Sequence, residues 1–171
     1  AAHPFFVEES YVLNWMYPYL EPAGLILKLN SEPLPELSPE TIARDRQFWD
    51  ETEARLVAMP GFAGNDDARK MFSKLRAAIA GVYAYRKLDA DAEAAFRQAI
   101  RLCPSSPEAS FRLTQMLADR KRMAEAVQTM ENLLAVDPAN ETAKDYLQQL
   151  KKQSQAPDGT SEPSSPQPLE S

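Results

Sequence analysis

Ala92-Glu93-Ala94-Ala95-Phe96-Arg97-Gln98-Ala99-Ile100-Arg101-Leu102-Cys103-Pro104 returns further along the chain as Ala126-Val127-Gln128-Thr129-Met130-Glu131-Asn132-Leu133-Leu134-Ala135-Val136-Asp137-Pro138. Small, large, apolar and proline positions recur in step, and the two prolines stand 34 residues apart. The agreement continues past each proline, where Ala109 and Leu113 reappear as Ala143 and Leu147. A fixed period of this length marks a stack of helical hairpins, none of which can bury its apolar face alone. Such arrays ordinarily present a surface to a partner.

Working outward, the punctuation predicts four helices, at about 89–102, 106–120, 122–136 and 140–153. Asp89, the run Cys103-Pro104-Ser105-Ser106-Pro107, Lys121 and Asp137-Pro138 mark their ends. Upstream, Asn65 or Asp66 opens a longer helix that should run to about Lys87, with acidic residues at its positive end. Its apolar positions Phe72, Leu75, Ile79, Val82 and Tyr83 fall at three- and four-residue steps. Before it, Ser38 reads as an N-cap with Pro39 in the first turn. That helix offers Ile42, Phe48, Trp49 and Leu56 on one face and stops at Met59-Pro60-Gly61.

The first 37 residues are different material. Pro4-Phe5-Phe6-Val7 and Gly24-Leu25-Ile26-Leu27-Lys28-Leu29 are apolar runs of strand length. Between them lies the aromatic string Tyr11-Val12-Leu13-Asn14-Trp15-Met16-Tyr17-Pro18-Tyr19-Leu20, and Pro33, Pro35 and Pro39 then impose an extended link. Nine of the fifteen aromatic residues precede residue 63, so this part has its own packing task. From Gln155 the composition falls to Ser, Pro, Glu and Gly, which cannot bury enough apolar area to offset ordering; disorder is expected there.

The whole chain has 171 residues, is 44% hydrophobic and carries a formal net charge of −6. That sign argues against a general nucleic-acid binder, which needs a clustered basic face. One histidine, His3, and one cysteine, Cys103, make an ordinary zinc site a poor expectation. No segment reaches the ~20 apolar residues that span a bilayer. The chain starts Ala-Ala-His-Pro, without methionine or a recognisable signal peptide, and we expect an excised soluble piece of a longer protein.

At these positions the chain resembles the tetratricopeptide repeat family. The small residue, aromatic, alanine and proline of the family's second helix correspond to Ala92, Phe96, Ala99 and Pro104; Ile79, Ala80 and Tyr83 take the first-helix places. The next unit offers Leu113, Thr114, Leu117, Ala126, Met130, Leu133 and Pro138. Arg76 and Ser110 stand where the family has a bulky aromatic, which is the clearest departure. The resemblance covers about residues 73–140, with 140–153 like the usual polar capping helix. An irregular bundle containing two look-alike hairpins is the alternative.

A second resemblance rests on His3-Pro4-Phe5-Phe6-Val7-Glu8-Glu9-Ser10-Tyr11 and on Trp15-Met16-Tyr17-Pro18-Tyr19-Leu20-Glu21-Pro22-Ala23-Gly24-Leu25-Ile26. These stretches look like a segment near the C-terminus of bacterial multi-spanning membrane proteins similar to protein O-mannosyltransferases. It implies a membrane-embedded remainder of the same polypeptide, tethering to a bacterial membrane, and an accessory role in holding the enzyme's protein substrate.

The expected fold is mainly α: a strand-and-loop cap over 1–37, a helix and turn over 38–64, tetratricopeptide-like repeats forming a superhelix over 65–153, and a tail over 154–171. The expected partner is a protein or peptide, with no cofactor, metal or nucleic acid, and no catalysis by this chain. In the resembled family the first helices line a concave face. By register that face holds Lys74, Ala77, Gly81 and Tyr85, then Glu108, Phe111, Gln115 and Asp119, then Thr142, Asp145 and Gln149. Tyr85 and Phe111 are the expected anchors, since aromatics supply much interface energy; simple packing between helices would explain them equally well. Trp15, Tyr17 and Tyr19 suit either a membrane interface or, more often, a local core under a loop. The pairs Glu8-Glu9 and Asp66-Asp67 read as unshared carboxylates, Gly61-Phe62-Ala63-Gly64 as a turn without the lysine of a phosphate loop, and Cys103 as a small buried hydrophobe.

Overall fold

The structure, a computed structural model, describes residues 3–8 and 14–155. The expectations for Glu9 to Leu13 and for the tail from residue 156 lie outside the described residues. Ser154 and Gln155, expected in the tail, instead close the last helix.

Three short strands open the fold: β1 (Phe5–Val7), β2 (Leu20–Ala23) and β3 (Ile26–Leu29), antiparallel in the order β1-β3-β2. The two expected strands are present; β2 was not read from the sequence because Pro22 interrupts the pattern. Pro22 is tolerated because β2 is an edge strand, where a missing N–H costs no ladder bond. Gly24 turns β2 into β3 with a φ of +73°, which a side chain would resist. Leu20 and Leu27 face the core, fully buried.

Six helices follow among the described residues: α1 (Pro39–Ala58), α2 (Asp66–Tyr85), α3 (Asp89–Leu102), α4 (Pro107–Asp119), α5 (Met123–Val136) and α6 (Glu141–Gln155). The molecule is mainly helical with a small antiparallel sheet at its N-terminal end. Ser38 caps α1 by accepting from the Thr41 N–H at 3.1 Å, and Asn65 caps α2 by accepting from the Ala68 N–H at 3.0 Å. Each of α2 to α6 packs on the next in chain order.

The 34-residue period recurs in the backbone itself. α3 and α5 start at 89 and 123 and end at 102 and 136; α2 and α4 end at 85 and 119. Leu88 N–H donates to the Tyr83 carbonyl, and Arg122 N–H donates to the Leu117 carbonyl, at 3.0 and 2.9 Å. Lys87 N–H donates to Ala84 and Lys121 N–H to Ala118, at 3.1 and 2.9 Å. Both lysines have a φ of 60°. This paired bonding past a left-handed residue closes a helix sharply, so α2 ends at Tyr85 and not near Lys87.

The small and large repeat positions meet in one core. Ala80, Ala92, Ala99, Leu113 and Ala126 are buried, as are Tyr83 and Phe96, so neighbouring helices approach over alanines while the rings fill the grooves. Pro104 is half-buried and Pro138 exposed, each just beyond a helix end. Arg76 is buried in the place of the missing aromatic: it donates to Asp45 of α1 and to Gln98 of α3, both at 2.7 Å, and lies 5.1 Å over the Trp49 ring. Tyr83 completes the set by donating to the same Asp45 oxygen at 2.6 Å.

Arginine makes most of the ties between elements. Arg46 pairs with Asp91, Arg101 with Glu53, Arg120 with Asp89, and Arg122 with Glu93. Arg86 donates to the carbonyls of Tyr17 and Pro18 at 2.8 and 3.1 Å, fixing the N-terminal segment on α2.

Candidate functional site

Helices α4 and α6 enclose an open groove of about 490 Å³ lined by Phe111, Arg112, Gln115, Thr142, Asp145, Tyr146 and Gln149. Five of these seven are positions that the register assigned to the concave face. The ring of Phe111 stacks on that of Tyr146, with centroids 5.5 Å apart and planes at 17°. Tyr146 donates its hydroxyl to Gln115 Oε1 at 3.0 Å, and Gln115 donates to Asp119 at 2.7 Å. Burial, helped by the Asp119 carboxylate, pushes the Tyr146 phenol above its ordinary value, so it stays a neutral donor.

Two groove residues, Arg112 and Tyr146, escaped the sequence reading. They hold equivalent places one repeat apart, each next to a face residue, Phe111 or Asp145. Extending the register by one position would have found both. Glu108 does not line the groove but lies 3.7 Å from Arg112, which does.

The α2 part of the expected face is partly covered, although Tyr85 keeps 48% exposure. Tyr17 stacks on Tyr85 at 5.0 Å with planes 11° apart, so this expected anchor already holds a ring of its own chain. Ala77 and Gly81, expected to be exposed, are buried. The reason is Arg112: its guanidinium crosses from α4 to donate to the Ala77 carbonyl at 3.2 Å and approaches the Tyr17 hydroxyl at 3.5 Å. Gly81 leaves room for it, because a side-chain carbon there would run into Arg112 Nη2. Lys74 is exposed and does not line the groove.

The remaining candidates stay apart from the groove. Tyr17 packs against the core as the local-core reading requires, whereas Trp15 is 62% exposed and does not. Cys103 is free and buried, in keeping with a small hydrophobe. Glu8 lies just past β1, and its neighbour Glu9 is outside the described residues. Asp66 and Asp67 sit in the first turn of α2. Another cleft, of about 440 Å³, lies between the sheet and α1; of its charged groups Glu21 bonds Lys28 at 2.6 Å, Asp45 bonds Arg76 at 2.7 Å, and Arg44 donates to the Thr41 hydroxyl at 3.3 Å. No cluster of three potential metal-ligating side chains occurs among the described residues. No helix among them is long and apolar enough to cross a membrane.

No protein-family model and no curated protein matches the chain. The two family resemblances therefore stand on the residues quoted for them. Chemically, the groove offers an aromatic floor, amide donors and acceptors and a carboxylate, the inventory of a binding surface.

Proposed function

We propose that this chain is a non-catalytic protein-interaction module of the tetratricopeptide type, whose two units and capping helix α6 form a short superhelix and receive a peptide or protein segment between α4 and α6. The observation that carries this reading is the groove itself: stacked Phe111 and Tyr146 stay partly exposed beside Gln115 and Gln149. A ring buried only for stability would be sealed by its neighbours. Here Gln115 bonds Tyr146 and Asp119 while the exposed Gln149 amide can bond an extended backbone, and rings are the commonest interface anchors.

The test is a peptide-display selection against the intact chain, followed by binding of the selected peptides to the Phe111→Ala and Tyr146→Ala variants. Each variant should lose at least about tenfold in affinity, or about 1.4 kcal/mol, while keeping the parent's helical circular dichroism. Peptides that bind the variants as well as the parent would place the interaction elsewhere.

A further inference from the structure

The charge around the groove is one-sided. Asp145 lines it, Asp119 is bonded to the lining residue Gln115, and Glu108 lies 3.7 Å from the lining residue Arg112: three carboxylates in or next to the groove against the single guanidinium of Arg112. That guanidinium is already engaged, bonded to the Ala77 carbonyl, close to Glu108, and 5.2 Å over the Phe96 ring. Glu108 and Asp119 also have partners, Arg112 and Gln115. Asp145 has no ion pair or hydrogen bond from its side chain among the described residues. Its neighbour Lys144 is tied to Glu141 at 2.7 Å. An unpaired carboxylate thus stands beside an aromatic stack in a groove with surplus negative charge.

We infer that the occupant of the α4–α6 groove is a basic segment whose arginine side chain pairs with Asp145 and lies against the face of Tyr146. This deepens the interaction-module reading and rests on it. Arginine fits better than lysine because a planar guanidinium can bond a carboxylate through two N–H groups and stack on a ring at the same time. An acidic segment would meet Asp145, Asp119 and Glu108 with nothing free to neutralise it. The overall charge of −6 would further speed encounter with a basic partner and slow encounter with an acidic one.

The probes are three acetylated hexapeptides, Gly-Xaa-Leu-Xaa-Tyr-Gly, in which Xaa is arginine, citrulline or glutamate. Citrulline keeps the shape of arginine without its charge. Binding is followed by amide and side-chain NMR shifts of the intact chain and of Asp145→Asn, an exposed change that removes no bond. The arginine peptide should bind the parent about five- to tenfold more tightly than the citrulline peptide, as expected for one exposed ion pair plus a cation–ring contact. That advantage should vanish in D145N, leaving citrulline binding unchanged. Equal affinities for arginine and citrulline, with shifts at Phe111 and Tyr146, would overturn the basic-segment inference and leave the groove reading standing. Tighter binding of the glutamate peptide would do the same. Shifts confined to other regions, or no binding by any of the three, would overturn both.

Discussion

Arg76 of α2 and Asp45 of α1 join at 2.7 Å with 4% and 1% of their side chains exposed. The pair, with the Tyr83 hydroxyl on the same Asp45 oxygen, fastens α1 to α2. Removing one member of a buried pair leaves an uncompensated charge. Arg76→Met should therefore cost about 3–5 kcal/mol in urea unfolding, and pairing it with Asp45→Leu should recover part of that loss. A double variant no better than R76M would mean that the cost lies in packing around Trp49 rather than in the stranded carboxylate.

The left-handed lysines predict gains. A non-glycine residue at such a φ costs roughly 1–2 kcal/mol, and glycine gives back part of that through its freer unfolded chain. Lys87→Gly and Lys121→Gly should each raise stability by about 0.5–1 kcal/mol by chemical denaturation. Because the two turns are equivalent but remote, the double variant should be close to additive. Destabilisation by either would show that the lysine side chain makes a contact worth more than the strain.

Gly81→Ala sets two effects against each other. Alanine in a helix interior gains about 1 kcal/mol over glycine. The new methyl displaces Arg112 from the Ala77 carbonyl, a bond from a charged donor worth about 1.5–3 kcal/mol when fully buried but less here, where Arg112 is half-exposed. The stability change should stay within about 1 kcal/mol of zero. The Arg112 Nε resonance and the Phe111 shifts should move. A loss above about 3 kcal/mol would show that the helix backbone, not the arginine, gave way.

Acid should loosen the ties between elements. The guanidinium of Arg122 holds the Glu93 carboxyl below its ordinary 4.5, Arg101 does the same for Glu53, and Arg120 pulls Asp89 below 3.8. A carboxylate with a depressed native value contributes stability above its unfolded value and loses it as pH falls through the native one. Urea midpoints should be flat from about pH 7 to 5 and drop below about pH 4.5. Glu93→Gln should shrink the drop. A midpoint that rises on acidification would contradict the sign of all three shifts.

The repeat was legible because it depends on local chemistry. Alanine and ring positions, caps at Ser38 and Asn65, and the proline stops are each decided within a few residues, and the helix ends fell within about two residues of the expected ones. What escaped depended on distance. Nothing near Tyr17 announces that it will cover Tyr85, since 68 residues separate them and only the folded chain supplies the contact. Gly81 looked like an open face residue because its use, making room for Arg112, belongs to another helix. Strand β2 was hidden by Pro22, which a sheet edge accepts and a sheet centre does not. Phe111, Gln115, Thr142, Asp145 and Gln149 share one groove because register alone puts them on one face, while the α2 side is covered by Arg112 of α4 and by Tyr17 of the N-terminal segment.

The division of labour between the two cationic residue types has a practical side. The α1–α3, α2–N-terminal and α3–α5 ties run through guanidinium groups, whereas Lys28–Glu21 and Lys144–Glu141 stay within the sheet or within α6, and Lys151–Glu131 is a surface link between adjacent helices. Lys74, Lys87 and Lys121 are exposed and take part in none of those bonds. Amine-directed chemistry would therefore touch only the Lys28, Lys144 and Lys151 links among these contacts and leave the guanidinium ties intact. A dicarbonyl reagent that consumes guanidines would instead reach the exposed Arg46, Arg101 and Arg122 ties and leave the buried Arg76 pair.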